Sequence, residues 1–254
     1  SRLPDPLLLH EASLSDLTLA AFADSTLFSA AVSWVFQPAA MADFFHGKDE
    51  AFVQAFLADR KAFRAGSSAQ RPSLGQAKDR LAMALAGLEN QLGDCRSFVW
   101  GASPSRADFC LFHPLWFIQQ AKSAAFLLDD YPQVGLWLER MSHFGHGKSE
   151  SISADEALRI AASHQPIAMH ASQEAGVPSA QAAEGLKLGA IVEVKPTDYG
   201  MDAVRGRLCY ADQKRLTIAR EEEGLGLLHV HFPQIGYQFT CFDGTDHPPQ
   251  RGTG

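Results

Sequence analysis

Apolar positions recur at helical spacing through the first part of the chain and at strand spacing near its end. From Ser15-Asp16 a run dense in Ala, Leu, Phe and Trp predicts a helix to about Phe36, halted before Pro38. Phe22, Leu27, Phe28 and Trp34 crowd it on more than one side, so both sides must meet other protein. Asp49 to about Ala65 predicts a second helix, with Phe52, Phe56 and Phe63 on one face and Gly66 just beyond. Leu74, Leu81, Leu85, Leu88 and Leu92 follow at steps of seven, four, three and four, one stripe along a helix closed by Gly93. The repeat is too short for a coiled coil, so the stripe reads as core-facing.

A deliberate helix start comes next. Ser105 stands three places before Asp108, directly ahead of the apolar run Phe109-Cys-Leu-Phe-His-Pro-Leu-Trp-Phe117. The Ser105 side chain can accept from the Asp108 N–H, and Asp108 can accept from the Ser105 N–H. Pro104 and Phe109 sit where a hydrophobic staple would close that turn. The helix, roughly Arg106 to Leu128, is almost wholly apolar and is expected to be covered on all sides. Pro114 inside it should bend it. Pro132 fits the first turn of another helix to about Ser142, with Val134, Leu138 and Met141 inward. Ser153-Ala-Asp-Glu156 opens a short helix that ends before Pro166.

Composition then shifts. Residues 164–185 are rich in Ala, Ser and Gln and read as a linker, with a short helix at 179–185. Beyond it come five short strand candidates: Ala190–Val194, Arg207–Tyr210, Arg215–Arg220, Leu227–Phe232 and Tyr237–Phe242. Turn-like pieces separate them. Five such strands in so short a span suggest a small closed barrel, because closure removes exposed edges. The fold class expected is therefore α+β in separate domains: a helical bundle, then a small all-β barrel. The boundaries expected are a lead-in at 1–14, a helical domain at 15–163, the linker, a barrel at 186–243 and a disordered tail at 244–254.

Composition narrows the function classes. The 254 residues are 46% hydrophobic and 20% charged, with a net charge of −7 and no Lys/Arg run. Residues 186–243 hold seven Lys/Arg against eight Asp/Glu. A nucleic-acid partner is not expected without the phosphate-binding charge. Leu7-Leu8-Leu9 is too short for a signal sequence, and no segment reaches the ~20 apolar residues of a membrane span. The four cysteines (Cys95, Cys110, Cys209, Cys241) lack a C-x-x-C pair and are expected as free thiols. A cytoplasmic location is the default.

Candidate chemistry is sparse. His229 and His231 alternate on one strand, and with Cys209 and Cys241 they could supply a Cys2His2 zinc set; packing histidines and core thiols are the plainer account. His143 and His146 follow a helix end, where the dipole favours them. His113 reads as a hydrogen-bonded core histidine. No nucleophile elbow, phosphate loop, zincin or dinucleotide motif is present.

Four stretches carry a family resemblance: Phe22-Ala-Asp-Ser-Thr-Leu-Phe28; Phe98-Val-Trp-Gly101 with Pro104-Ser-Arg-Ala-Asp108; His113-Pro-Leu-Trp-Phe117; and Tyr131-Pro-Gln-Val134 with Trp137-Leu-Glu-Arg-Met141. They resemble the C-terminal helical domain of bacterial glutathione transferases, with Ser105 and Asp108 as its structural N-capping box. The tail is similar to SH3-like or Sm-like barrels, through Val194-Lys-Pro-Thr-Asp-Tyr-Gly200, Val204-Arg-Gly-Arg-Leu208 and His229-Val-His-Phe-Pro233. The resemblance implies glutathione as cosubstrate, thiolate attack on a small apolar electrophile, and a homodimer. It also implies a thioredoxin-like domain that supplies the activating residue; only about fourteen residues precede the first long helix, so the expectation is that this chain is a piece of a longer protein that carries that domain, the alternative being that the glutathione-binding half has been lost. No catalytic residue and no metal ligand is assigned. The first helix would line the substrate cleft with Phe28, Val32 and Trp34, though core packing is the plainer account of the same residues. A non-enzymatic scaffold that binds a protein partner is the alternative.

Overall fold

The structure, a computed structural model, describes residues 13–67, 71–167 and 185–242. The lead-in, most of the linker, the expected helix at 179–185 and the tail fall almost wholly outside them. Internal packing divides the chain into two units, residues 1–54 with 70–149 and residues 55–69 with 150–254.

The first unit is helical. α1 (Leu14–Phe22) starts at Ser13, whose side chain accepts from the Asp16 N–H in a full capping box. A π-helical turn, Ala23–Leu27, joins it to α2 (Phe28–Val35). The result is one continuous helix of 22 residues, long and apolar enough to cross a membrane by length and composition. The single helix is what its sequence pattern predicts; that it is long and apolar enough for a span departs from the expectation that no segment is. Its inner side, Ala23, Leu27, Ala30, Ala31, Trp34 and Val35, enters the core.

α3 (Pro38–Phe44) begins at the proline that stops α2, because a missing N–H costs nothing in a first turn. α4 (Glu50–Phe63) starts in the helical unit and ends in the second one. α5 (Leu74–Leu92) carries the leucine stripe; Leu81, Leu85, Leu88 and Leu92 are buried, while Leu74 in the first turn is exposed. α6 (Arg106–Gln120) is shorter than expected and hands over to a 3₁₀ turn, Lys122–Leu128. α7 (Pro132–Ser142) buries Val134, Trp137, Leu138 and Met141.

Coverage of α6 departs from expectation. Ala107, Asp108, Leu111, Pro114, Leu115 and Ile118 are buried. Phe109 and Trp116 are 39% and 40% exposed, and His113 is exposed with them. These three are spaced four and three apart, one face of the helix. A helix apolar on every side does not say which side its neighbours cover, and here they cover one.

The second unit holds α8 (Ala154–Ala162), capped by Ser153, and a five-stranded antiparallel sheet. The strands are β1 (Ile191–Pro196), β2 (Val204–Ala211), β3 (Arg215–Glu222), β4 (Gly226–Pro233) and β5 (Tyr237–Cys241). Their order is β4-β3-β2-β1-β5, and no ladder joins β4 to β5 among the described residues. Inward positions alternate as the pleat requires: Val192, Val194, Leu208, Leu216, Ile218 and Phe232 form a small core with Leu186 and Ala211. Gly206 is needed for close strand approach, since a Cβ there would lie 2.8 Å from the Ala219 carbonyl oxygen. The end of α4 belongs to this unit: the Gly200 N–H donates to the Phe63 carbonyl at 2.9 Å, and the Phe63 ring meets Tyr199 edge-on.

Candidate functional site

The best-determined group in the helical unit is the Asp108 carboxylate. It is fully buried and accepts four hydrogen bonds. Oδ2 accepts from the Ser105 N–H and the Ser105 hydroxyl, both at 2.8 Å. Oδ1 accepts from the Val99 N–H at 2.8 Å and from Trp137 Nε1 at 2.9 Å. The bond from the Ser105 N–H is the carboxylate half of the capping box read from the sequence, while the Asp108 N–H donates to the Ser105 carbonyl at 3.2 Å. The second ties α6 to the tight turn Phe98–Gly101 and to α7, over sequence separations that no local motif reveals. A buried carboxylate survives only with such full satisfaction.

That turn is braced from outside. The Val99 carbonyl accepts from Gln91 Nε2 at 2.6 Å and from Arg96 at 3.1 Å. Arg96 also grips Asp94, and its hydrogen bonds hold that carboxyl down to about 2. Trp100 Nε1 donates to Asp16 at 2.8 Å. A shallow depression of about 370 Å³ opens here, lined by Asp94, Cys95, Arg96, Ser97, Trp100, Gly101 and Ala102. Cys95 lies in it with a φ of 69°, an exposed thiol in the left-handed region. Nothing in the residue spacing pointed to this depression.

The three residues expected to wall a cleft are placed as follows. Phe28 is partly exposed and stacks on the His113 ring, with centroids 5.3 Å apart and planes 22° apart. Val32, one turn on, shares that side of α2 and is also partly exposed. Trp34 is buried, and its Nε1 donates to the Ala124 carbonyl at 3.0 Å. The helix thus brings Phe28 and Val32 together and turns Trp34 into the core. His113 stands beside Phe28 at the surface instead of inside the bundle. The π turn directly ahead of Phe28 sets the phase of this face; such turns recur at functional sites.

The remaining candidates scatter. His143 Nδ1 lies 2.8 Å from the Glu139 carbonyl at the end of α7. The Cys209 thiol donates to the Thr217 carbonyl and the Cys241 thiol to that of Gly185. Burial raises the Cys209 pKa. Among the described residues all four cysteines are free, and no three His, Cys, Asp or Glu side chains converge to hold a metal.

α6 is thus a capped, partly covered helix tied by its N3 carboxylate to the preceding turn and the following helix. Residues 50–140 match the family model "Glutathione S-transferase, C-terminal domain". A crystal structure of a GST-like protein from Pseudomonas syringae is 30% identical, covers 93% of this chain and 70% of that one, and superposes with a TM-score of 0.70. A glutathione S-transferase from Actinobacillus pleuropneumoniae is 18% identical over 57% of this chain and 49% of that one, with a TM-score of 0.29, and adds nothing to the assignment. No curated protein matches the sequence. The chain belongs to the glutathione S-transferase-like family.

Proposed function

We propose that this chain is the substrate-side part of a glutathione-dependent transferase acting on small apolar electrophiles. The observation that carries the reading is the match to the Pseudomonas syringae GST-like protein over 93% of the chain. Glutathione would bring the thiolate, which attacks the electrophilic carbon and displaces its leaving group or adds to its double bond. The cleft wall is assigned to Phe28 and Val32, with His113 stacked beside Phe28 and Trp34 packed behind them as support. An apolar wall with one polar neighbour is the usual make-up of such a pocket. The activation of the glutathione thiol is assigned to no residue of this chain. The sheet is read as an SH3-like barrel carried as an accessory module, and the active form as a cytoplasmic homodimer.

The test uses the full-length native protein: retention on glutathione-agarose, and conjugation of a chromogenic aryl halide. Phe28→Ala should raise KM for the aryl halide several-fold and leave KM for glutathione unchanged. Absence of both retention and conjugation would overturn the proposal.

A further inference from the structure

The outer face of the sheet carries cations that the transferase reading leaves unused. Register sets Arg207 beside Ala219 and Ala219 beside His229. Their neighbours Leu208, Ile218 and Val230 point into the core, so this row faces away from it. The adjacent row on the same face holds Tyr210, Thr217 and His231. Arg215, two residues before Thr217, shares the face and lies over the Tyr210 ring at 4.7 Å. At the centre stands only the methyl of Ala219, flanked by a guanidinium on one strand and an imidazole on the other. Two strand spacings separate those flanks, about 10 Å between Cα atoms. A tetrahedral oxyanion fits a gap of that width, with both side chains closing over it.

The groups around the gap are ready to donate. Arg207 gives one nitrogen to the Gly189 carbonyl at 2.9 Å and forms no ion pair among the described residues. Thr217 is fully buried, and its hydroxyl lies 2.8 Å from Nδ1 of His231. With Nδ1 engaged by this hydroxyl, the distal Nε2 is the ring nitrogen left to meet a ligand. Burial, followed by the fields of Arg215 and His229, lowers the His231 pKa. Three acids share or border this face, and Glu193, opposite Arg205, is paired with Lys195 and Arg205. Asp212 accepts from the Tyr210 hydroxyl and from the Lys214 and Arg215 N–H groups. Glu221, opposite Leu227, bounds the face on its far side.

We propose that this face binds the phosphate group of a small phosphate monoester, seated over Ala219 between Arg207 and His229, with His231 Nε2 and Arg215 at its margin. A single seat bounded by Glu221, in a segment with as much acid as base, suits one phosphate group and not a nucleic-acid strand.

The test is an NMR titration of the full chain carrying labelled histidine. Inorganic phosphate and then phenyl phosphate are added, with sodium chloride at matched ionic strength as the control. Expected are saturable shifts of the His229 and His231 ring signals and a rise in the His231 titration midpoint when phosphate is bound. Arg207→Ala should weaken phenyl phosphate at least tenfold, and His229→Ala several-fold. Arg159→Ala on α8 should change nothing. Unchanged sheet amide signals establish that each variant is folded, and Arg207→Lys replaces Arg207→Ala if they are lost. Shifts that chloride reproduces, affinity indifferent to Arg207, or preferential binding of RNA oligonucleotides that tightens with length would each overturn the proposal.

Discussion

Replacing Asp108 by alanine removes one side chain and strands donors on three segments. The Val99 N–H and Trp137 Nε1–H lie in the core and lose their acceptor. Each such orphan costs about 1–3 kcal/mol. Losing the acceptor for the Ser105 N–H costs about 1 kcal/mol more, the usual worth of a cap. The sum is roughly 3–7 kcal/mol, a large share of the 5–15 kcal/mol of an ordinary domain. Asp108→Asn keeps Oδ1 for Val99 and Trp137 and loses mainly the Ser105 N–H bond, so about 1–2 kcal/mol is expected. Trp137→Phe removes one of the donors that alanine would strand. The double variant Asp108→Ala/Trp137→Phe should therefore be about 1–3 kcal/mol less damaged than the two single effects added. The assay is urea unfolding followed by tryptophan fluorescence. Trp34, Trp100, Trp116 and Trp137 are the four tryptophans of the chain, and all belong to the helical unit, so the signal reports that unit alone. An alanine variant within about 0.5 kcal/mol of the parent, or strictly additive single effects, would refute the account of Asp108 as the clamp.

Three further outcomes follow from other residues. Gly206→Ala places a Cβ 2.8 Å from the Ala219 carbonyl oxygen and 3.0 Å from Ile218 Cδ1; thermal circular dichroism should show the sheet unit destabilised by about 1–3 kcal/mol, with the tryptophan-reported transition unmoved. The Lys195 hydrogen bond, opposed by burial and aided by Arg205, holds the Glu193 carboxyl below its ordinary 4.5, so its contribution to stability is present above that pH and lost as pH falls through the folded value. Glu193→Gln should flatten that acid limb in melts between about pH 6 and pH 3, and an unchanged slope would exclude the linkage. Iodoacetamide with mass mapping should label the exposed Cys95 and Cys241 before Cys209, whose thiol is raised by burial and bonded to the Thr217 carbonyl; prior labelling of Cys209 would contradict the sheet as described.

Local chemistry was legible where one stretch of sequence contains the whole cause. The alternation in Leu227–Phe232 marks β4, and the 81-85-88-92 leucines mark the buried side of α5, because each period is set by the element's own geometry. Ser105 and Asp108 show their box for the same reason. The other half of Asp108's work was hidden, since Val99 and Trp137 meet it nine and twenty-nine residues away. Pro38 was read as a stop and is also a start, as Pro at a first helical position satisfies both roles. Phe28 and Trp34 looked alike as large apolar residues on one helix. Six residues apart, they point about 120° from each other around the axis, so only one of them can share Val32's side. For α6 the pattern was silent: apolar residues on all sides leave the covered side to be chosen by the neighbours.

The helical unit joins its pieces mostly at helix ends. Asp108 holds the start of α6 to a turn and to α7. The Glu89 carboxylate on α5 accepts from the Gln133 and Val134 N–H groups at 3.0 and 2.9 Å, at the start of α7. Asp43 at the end of α3 accepts from the Ser123 N–H at 2.7 Å, and Trp34 donates to Ala124, so both grip the 3₁₀ turn. Short helices leave four unpaired N–H and four unpaired C=O groups each. In a bundle of them, those ends become the natural points for long-range ties. Ties at the ends free the helix faces between them. Phe28, Val32 and His113 take no part in these clamps, so their size and polarity can change without loosening the frame. Under the function proposed above, that separation gives a fixed skeleton set by Asp108, Glu89, Asp43 and Trp34, and a surface at Phe28, Val32 and His113 that varies independently of it.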